Sequence, residues 1–173
     1  MDEFAALLRE SKVELVVDVR TMPRSRSNPQ FNRNALTQAL LAHGIRYEHI
    51  AELGGLRGRQ RQVRSDANAF WQNKSFHNYA DYAESEPFKR GLDRLRALAR
   101  GRACAVICAE SVWWRCHRRI IADYLLAAGE RVFHIMGRGQ VQKAVMTDAA
   151  RQDDRGILTY PASAGVASAA TDR

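Results

Sequence analysis

The sequence contains no run of apolar residues that approaches the length of a membrane-spanning helix. Crossing a bilayer takes roughly 18 or more consecutive apolar residues, and no stretch of the 173 residues comes near that length. The first four residues, Met1 to Phe4, are acidic and lack the basic start and apolar stretch of a signal peptide. We therefore expect no membrane association and a cytoplasmic location.

Cysteine is also scarce, and its number is odd. The chain has three cysteines, whereas secreted proteins of this size usually carry cysteines in pairs. In a reducing cytosol, thiols serve as core residues, metal ligands or reactive groups. The cysteine content therefore argues against a disulfide-stabilised secreted domain.

Acidic residues are outnumbered by basic ones. The formal net charge is +8, the pI is near 9.9, and arginine outnumbers lysine. Arginine suits bidentate contact with phosphate or carboxylate, so one interpretation is an anionic partner such as nucleic acid or a nucleotide. The other interpretation is a solvated basic surface that reflects arginine-rich codon usage, and charge alone does not decide between them.

Helical and strand patterns alternate along the chain. Two runs rich in β-branched and other apolar residues, 13–19 and 103–109, are typical of parallel strands covered on both faces. Alternation of this kind predicts an α/β fold, namely a Rossmann-like three-layer sandwich with a mainly parallel sheet. We expect a single domain over 1–160 and a disordered tail over 161–173. The predicted helices cover 2–11, 34–43, 76–100 with a break at Pro87, and 115–128, and the other predicted strands cover 45–50 and 131–136.

The first strong strand ends in polar residues. Ligands of parallel sheets bind beyond the carboxyl ends of the strands, which makes Arg20, Arg24 and Ser25 candidates for binding an anion. Asp18 interrupts the apolar strand, and a buried aspartate needs a partner, which Arg20 or Arg118 can supply. We consider Asp18 a catalytic residue that orients an arginine; the alternative is a salt bridge that only fixes the loop.

The second strong strand leads into a sharper signal, Cys116-His117-Arg118 at the start of a helix. A helix N-terminus and flanking cations lower the pKa of a cysteine, so Cys116 is a candidate nucleophile or metal ligand, and His117 and Arg118 are candidates for anion binding. The alternative is that Cys116 packs beneath a tryptophan. Glu110 follows the strand and can act as a general base, an arginine orienter or a ligand.

A metal site is a weaker interpretation of the same segment. Cys108, Glu110, Cys116 and His117 offer suitable donors, but their spacing matches no common zinc pattern. Cys116 and His117 are adjacent, and both would face one ion only if the backbone were irregular. We therefore predict neither a metal nor another cofactor, although a metal-binding protein that uses Cys108, Cys116 and His117 stays an alternative.

An arginine-rich stretch over 56–75 is predicted to be a long surface loop. Arginines beside aromatic side chains can hold unpaired bases, and within this loop Trp71 is the candidate for base stacking. The aromatic residues of the following helix are more simply explained as a stripe that faces the core. The candidate nucleic-acid contacts are Arg57, Arg59, Arg61, Arg64 and Trp71.

Several of these segments together resemble one bacterial protein family. The segments are Val17-Asp18-Val19-Arg20, Met22-Pro23-Arg24-Ser25, Asn28-Pro29-Gln30-Phe31-Asn32, Leu53-Gly54-Gly55, Phe76-His77-Asn78-Tyr79-Ala80, Cys108-Ala109-Glu110, Cys116-His117-Arg118, Ile121-Ala122-Asp123 and His134-Ile135. In order and over nearly the whole chain, they resemble the domain of unknown function 488 family. The resemblance implies a compact α/β sandwich and no established activity.

Members of that family usually open with a strand that reads like Thr-Ile-Gly-His-Ser before the first helix. This sequence begins at Met1, inside or just before that helix. The resemblance therefore implies either that the start was assigned late or that the strand is missing from the sheet.

These observations support three hypotheses about function. In the first, an enzyme acts on a phosphate-bearing substrate such as nucleic acid or a nucleotide, with chemistry at Cys116 or Glu110. In the second, a non-catalytic module binds nucleic acid through the arginine-rich loop, and in the third the protein binds a metal. The first hypothesis requires that the segment around Asp18 and the segment around Cys116 meet in one pocket.

Overall fold

The computed structural model describes residues 1–60, 63–64 and 66–162. Arg61, one of the candidate nucleic-acid contacts, lies outside the described residues. The predicted tail over 161–173 also lies outside them, except for its first two residues. None of the described helices is long and apolar enough to cross a membrane.

The centre of the fold is a parallel sheet of three strands. The strands are β1 (Leu15–Asp18), β2 (Arg46–His49) and β3 (Cys104–Ile107), in the order β2-β1-β3. Leu15 pairs with Arg46 on one side and with Cys104 on the other. Every residue of β1 is buried, because this strand has a neighbour on both edges and apolar side chains on both faces. The prediction of a mixed α/β fold with a parallel sheet is confirmed.

Five helices connect and flank these strands, and their bounds lie within three residues of the predicted ones, except that the third helix ends at Tyr82, five residues before the predicted break at Pro87. The predicted break in the third helical stretch is real, since Ser85 caps a new helix that has Pro87 in its first turn. The helices are α1 (Asp2–Glu10), α2 (Arg33–Leu41), α3 (Lys74–Tyr82), α4 (Glu86–Ala99) and α5 (Arg118–Ala127).

The core consists of two apolar clusters that alternate along β1, as side chains of a strand do. Leu15, Val17 and Val19 belong to a large cluster with residues of α3, α4 and α5. Val16 belongs to a smaller cluster with residues of α1 and α2. The more specific description as a Rossmann-like three-layer sandwich stays a prediction.

The strand predicted over 131–136 forms, but it does not join the parallel sheet. The strand β4 (Phe133–Gly137) forms an antiparallel hairpin with β5 (Gln140–Lys143), separate from the parallel sheet. A second antiparallel ribbon follows, made of β6 (Arg151–Gln152) and β7 (Leu158–Thr159). The alternation of strands and helices therefore does not extend the parallel sheet beyond β3.

Candidate thiol site at the carboxyl edge of the sheet

Cys108 and Cys116 approach each other because the chain makes an irregular turn after β3. Cys108 directly follows this strand, which stays bonded to the end of β1 through the Val19 amide and the Ile107 carbonyl, 3.0 Å apart. A short 3₁₀ turn over Trp113–Arg115 follows, and Cys116 then has an extended backbone with φ −125° and ψ 147°. His117 is already helical, with φ −55° and ψ −17°. This irregular backbone, which the sequence analysis named as the condition for it, turns the side chains of Cys116 and His117 toward one place.

The centre of the site is a pair of free thiols. The Sγ atoms of Cys108 and Cys116 are 2.7 Å apart. Arg118 donates to the Cys116 sulfur from its backbone N–H at 3.5 Å and from Nε at 3.3 Å. His117 Nδ1 also lies 3.5 Å from this sulfur. Cys116 is only 2% exposed, so its sulfur lies among hydrogen-bonding groups within the protein.

These neighbours shift the two thiols in opposite directions. A hydrogen bond from Cys108 lowers the pKa of Cys116, and His117 and Arg118 lower it further, against the opposing effect of burial. The same bond and partial burial raise the pKa of Cys108. The low pKa predicted for Cys116 therefore has the expected direction, but its largest cause is a second thiol that the sequence did not single out as its partner.

His117 is held in place by a close approach of the chain at Gly55. A Cβ atom at Gly55 would lie 2.4 Å from His117 Nδ1. On another side, the imidazole ring lies 4.8 Å from the ring of Tyr79. His117 Nε2 is buried, and it has no hydrogen-bond partner among the described residues. Gly55 is therefore part of the site because it leaves room for the imidazole.

The preceding glycine, Gly54, contacts the loop after β1. A Cβ atom at Gly54 would lie 2.6 Å from Thr21 Oγ1, and the Leu56 amide donates to this same oxygen at 3.2 Å. The two glycines thus separate Thr21 from His117. Sequence reasoning treated this segment only as the end of a strand, although paired glycines at such a place are typical of a close backbone approach.

Asp18 and Arg20 form a separate, closed unit. The Asp18 carboxylate is fully buried and accepts hydrogen bonds from Arg20 Nε at 2.9 Å and Tyr47 Oη at 2.7 Å. Arg20 Nη2 also donates to the Phe31 carbonyl at 2.8 Å. Tyr47 and Phe31 pack on the cluster beneath α1 and α2, whereas Cys108 packs on the opposite cluster. Arg20 is the predicted partner of Asp18, but the pair forms the salt bridge of the alternative interpretation.

The prediction that Asp18 and Arg20 join the thiols in one pocket is not supported by these contacts and stays a prediction. Among the described residues, neither side chain has a hydrogen bond or ion pair with Glu110, Cys116 or Arg118. Asp18 ends β1 and Cys108 follows β3 at the same edge of the sheet, but Cys108 and the Asp18 partner Tyr47 pack on opposite clusters. The Asp18 carboxylate therefore orients an arginine, as proposed from the sequence, while anion binding by Arg20 stays a prediction.

The remaining residues predicted for the site contact the thiols to different extents. Arg118 Nη2 donates to the Glu110 backbone carbonyl at 2.6 Å, so the peptide of Glu110 belongs to the site while its side chain is exposed. Arg24 is exposed in the loop after β1. The Ser25 hydroxyl accepts from the Asn28 amide at 3.0 Å and stabilises a local turn. Anion binding by Arg24 and Ser25 stays a prediction.

Two of the candidate nucleic-acid contacts, the half-buried Arg57 and the buried Trp71, make contacts within the protein. Arg57 Nε donates to the Gly54 carbonyl at 2.8 Å, and its guanidinium lies 3.9 Å above the ring of Tyr82. Trp71 is 7% exposed and stacks on Phe76 with ring centroids 4.9 Å apart. The predicted roles of Arg57 and Trp71 in nucleic-acid binding stay predictions, although contacts within the protein engage both side chains. The exposed residues Arg59 and Arg64 stay candidates, and Arg64 forms an exposed ion pair with Asp66.

The site also has the composition of a metal centre. Donor atoms of Cys108, Cys116 and His117 lie within 4.8 Å of one another. Thiolate and imidazole are ligands that Zn²⁺ prefers, and three protein ligands leave a fourth position for water or substrate. The sequence analysis named these three residues as the alternative metal-binding group, although their spacing matches no common zinc pattern; the turn before α5 brings them together.

Fold and site together define an α/β protein that carries paired thiols and an imidazole at the edge of a parallel sheet. A family model described as Domain of unknown function DUF488 matches residues 1–125. The chain belongs to this family, as the resemblance implied. The match ends before His134 and Ile135, which the resemblance had included. No curated protein and no solved structure matches the chain.

Proposed function

We propose that the chain is an enzyme whose nucleophile is the Cys116 thiolate and whose substrate carries an anionic group such as phosphate. The observation that carries this proposal is the surroundings of one sulfur: the Cys108 thiol at 2.7 Å and the Nε of Arg118 at 3.3 Å. A thiolate is the reactive form of cysteine, and donors and cations around the sulfur favour it. Such an arrangement is typical of a reactive cysteine rather than of an apolar core position.

An anionic substrate is supported by the charges around this sulfur. Cys116 lies just before α5, and the N-terminus of a helix attracts negative charge. Arg118 is the first residue of this helix, and its side chain lies beside the sulfur. The exposed Arg115 directly precedes Cys116 in the sequence. Phosphate groups of nucleotides or nucleic acids match this environment because arginine binds phosphate through paired N–H groups.

In this proposal each neighbour of Cys116 has a defined role. Cys108 donates a hydrogen bond that holds the thiolate, His117 positions it, and Arg118 binds the anionic group of the substrate. Glu110 is exposed beside the site, where its carboxylate can accept a proton from an incoming water molecule. Asp18 and Arg20 support the neighbouring loop and take no part in the reaction.

Metal binding is a second candidate function, favoured by the clustering of three donor atoms within 4.8 Å. Elemental analysis of protein purified without chelators tests it. One equivalent of zinc, combined with Cys116 that alkylates only after the zinc has been removed, would replace the nucleophile proposal. A purely nucleic-acid-binding module is less well supported, because contacts within the protein engage Arg57 and Trp71.

The first prediction concerns the ionisation of Cys116 in the reduced, full-length chain. We expect an ultraviolet thiolate signal that persists at neutral pH and disappears only under acid conditions, because the Cys116 pKa is lowered. An ordinary cysteine with a pKa of about 8.5 is only a few per cent thiolate at pH 7. Cys116→Ser should abolish the signal, and the control Cys104→Ser should preserve it.

A preference for anions is measured at the same sulfur with two alkylating agents of similar size. Iodoacetate is anionic and iodoacetamide is neutral, so the ratio of their rates at Cys116 reports the local charge. We expect Arg118→Gln to lower this ratio, inorganic phosphate to slow alkylation, and the exposed control Arg138→Gln to change neither. A thiolate signal with the midpoint of an ordinary thiol would refute the proposal.

A further inference from the structure

Cys108 has a chemical capacity that its role as a hydrogen-bond donor does not require. An alcohol would serve as donor equally well, yet the group that faces Cys116 is a second thiol, 2.7 Å from it. Cys108 is also the more accessible of the two, since it is only partly buried while Cys116 is 2% exposed. The pair therefore has a reactive capacity that a lone nucleophile lacks.

We propose that Cys108 and Cys116 are a redox modification site, at which a small hydroperoxide oxidises Cys116 and Cys108 then closes a reversible disulfide that switches the nucleophile off. This inference rests on the proposed function in that Cys116 is the thiol that reacts first. The regulated group and the group that senses the oxidant are then the same atom.

The geometry suits a bridge between these two residues and no other pair. A disulfide has sulfurs about 2.05 Å apart, so the two sulfurs need to approach by less than one further ångström. Cys104 lies on β3 four residues before Cys108, which corresponds to roughly 13 Å along an extended strand. Its Sγ donates to the Leu98 carbonyl at 3.6 Å. Cys104 is therefore a thiol in the same protein that serves as an internal control.

The reaction balances in two steps. The Cys116 sulfur attacks the hydroperoxide, an S–O bond forms as the O–O bond breaks, and the leaving oxygen takes a proton from solvent, which gives a sulfenic acid at Cys116. Cys108 loses its proton and displaces the hydroxyl group, so that an S–S bond forms and water leaves. Two electrons pass from the two thiols to the hydroperoxide, and an external thiol reductant restores the pair by exchange.

The burial of Cys116 favours a small oxidant. A protein disulfide or another bulky partner would meet the more exposed Cys108 first, whereas hydrogen peroxide is small enough to reach a sulfur that is 2% exposed. The bridge would also remove the acceptor to which Arg118 Nε donates at 3.3 Å. Oxidation should therefore release Arg118 and abolish the anion preference of the site.

The test treats the reduced, full-length chain with one equivalent of hydrogen peroxide, blocks the remaining thiols and measures the mass. We expect the loss of two hydrogen atoms and of two of the three thiols. Tryptic cleavage without reduction should then link peptide 103–115 to peptide 116–118. Because Cys104 and Cys108 share the first peptide, the variant Cys104→Ser should give the same bridge.

The variant Cys108→Ser separates the two steps. Its Cys116 should stop at a sulfenic acid that a diketone reagent traps, and should proceed to sulfinic acid with more oxidant. A bridge to Cys104, or wild-type Cys116 that reaches sulfinic acid without a bridge, would overturn the inference. If the thiolate signal of Cys116 is present but no bridge forms, this inference alone fails, whereas loss of both results refutes the proposed function as well. Circular dichroism establishes that each variant is folded.

Discussion

Glycine has no side chain at position 55, and this leaves the space that His117 occupies. A Cβ atom there would meet Nδ1, Cε1 and Cγ of the imidazole at 2.4, 2.7 and 2.9 Å. The imidazole is a rigid ring, so it can relieve such a contact only if the whole side chain moves. At the residue scale, the position of the imidazole therefore depends on a residue far from it in sequence.

We predict that Gly55→Ala displaces His117 and lowers the reactivity of Cys116. Overpacking of this kind costs about 1–3 kcal/mol of unfolding free energy, which urea denaturation measures, and alkylation rates report the effect at the sulfur. Gly58→Ala is the matched control in the same loop, since no atom of the described residues lies within 4 Å of its Cβ position. Equal rates in both variants would show that His117 does not influence the thiol.

A second prediction at the residue scale distinguishes the Asp18–Arg20 pair from the reactive site. Asp18 is fully buried and Arg20 is 8% exposed, so Asp18→Asn leaves a buried guanidinium without a counter-charge. We expect a loss of about 3 kcal/mol or more in unfolding free energy, with an unchanged alkylation rate at Cys116 in the folded variant. Asp66→Asn, in an exposed pair, should have no measurable effect on stability. A folded Asp18→Asn protein with an unreactive Cys116 would contradict the separation of the two units.

At the scale of elements, the segment after β2 is fixed by one arginine. Arg57 donates to the carbonyls of Gly54, Ala51 and Glu52 at 2.8, 2.8 and 3.1 Å. These carbonyls belong to or follow the 3₁₀ turn Ala51–Leu53. The Ala51 carbonyl also accepts from the Gly54 amide at 2.9 Å, and the Glu52 carbonyl from the Tyr82 hydroxyl at 2.7 Å. The guanidinium thus closes the end of this turn and orients the glycines that contact His117.

We predict that Arg57→Ala lowers the unfolding free energy by about 1–2 kcal/mol, because charge-assisted hydrogen bonds are lost at a partly exposed position. Arg57→Lys should restore little of this unfolding free energy, since an ammonium group cannot reproduce the planar arrangement of donors. The neighbouring Arg59 is exposed, so Arg59→Ala is the control and should leave thermal stability unchanged. Equal stability of the two variants would remove the structural role of Arg57.

The elements themselves were largely predictable from the sequence. Amphipathic spacing and stop signals such as Gly44 and Gly129 indicated most helix bounds to within three residues, because these signals act over one or two turns. The start of α5 was missed by three residues, since a 3₁₀ turn over Trp113–Arg115 precedes it. That difference is what moves Cys116 from a helix into an extended conformation beside Cys108.

On the scale of the whole molecule, the last described residues return to the core. Tyr160 is fully buried in the large apolar cluster, and its hydroxyl donates to Asp123 Oδ2 on α5 at 3.1 Å. Its backbone amide donates to Asn68 Oδ1 at 3.0 Å. Residues beyond the family match at 125 therefore complete the core on the side of the sheet that carries the thiols.

We predict that Tyr160→Phe costs about 1–2 kcal/mol of unfolding free energy through the lost hydrogen bond, and that Tyr160→Ala costs about 3–5 kcal/mol through the cavity. Burial raises the pKa of Asp123, so its contribution to stability is present at low pH and is lost as pH rises through that raised value. The hydrogen bond from Tyr160 opposes this rise, so Tyr160→Phe should raise the pKa of Asp123 further. The pH range over which stability falls should then extend to higher pH. Urea denaturation across pH measures both effects, with the exposed Val145→Ala as control. A stable Tyr160→Ala protein would contradict this role.

The sequence by itself determined the order of helices and strands, the family, and the placement of Asp18 and Cys108 at the carboxyl ends of two strands that prove to be neighbours. Local periodicity and strand ends carry that information over a few residues. Only the tertiary structure decided that Asp18 closes with Arg20 on one face while Cys108 meets Cys116 on the other, and that Trp71 turns inward. Those outcomes depend on the path of the chain between distant segments and on which side of a strand each residue faces, and short-range patterns do not encode that path.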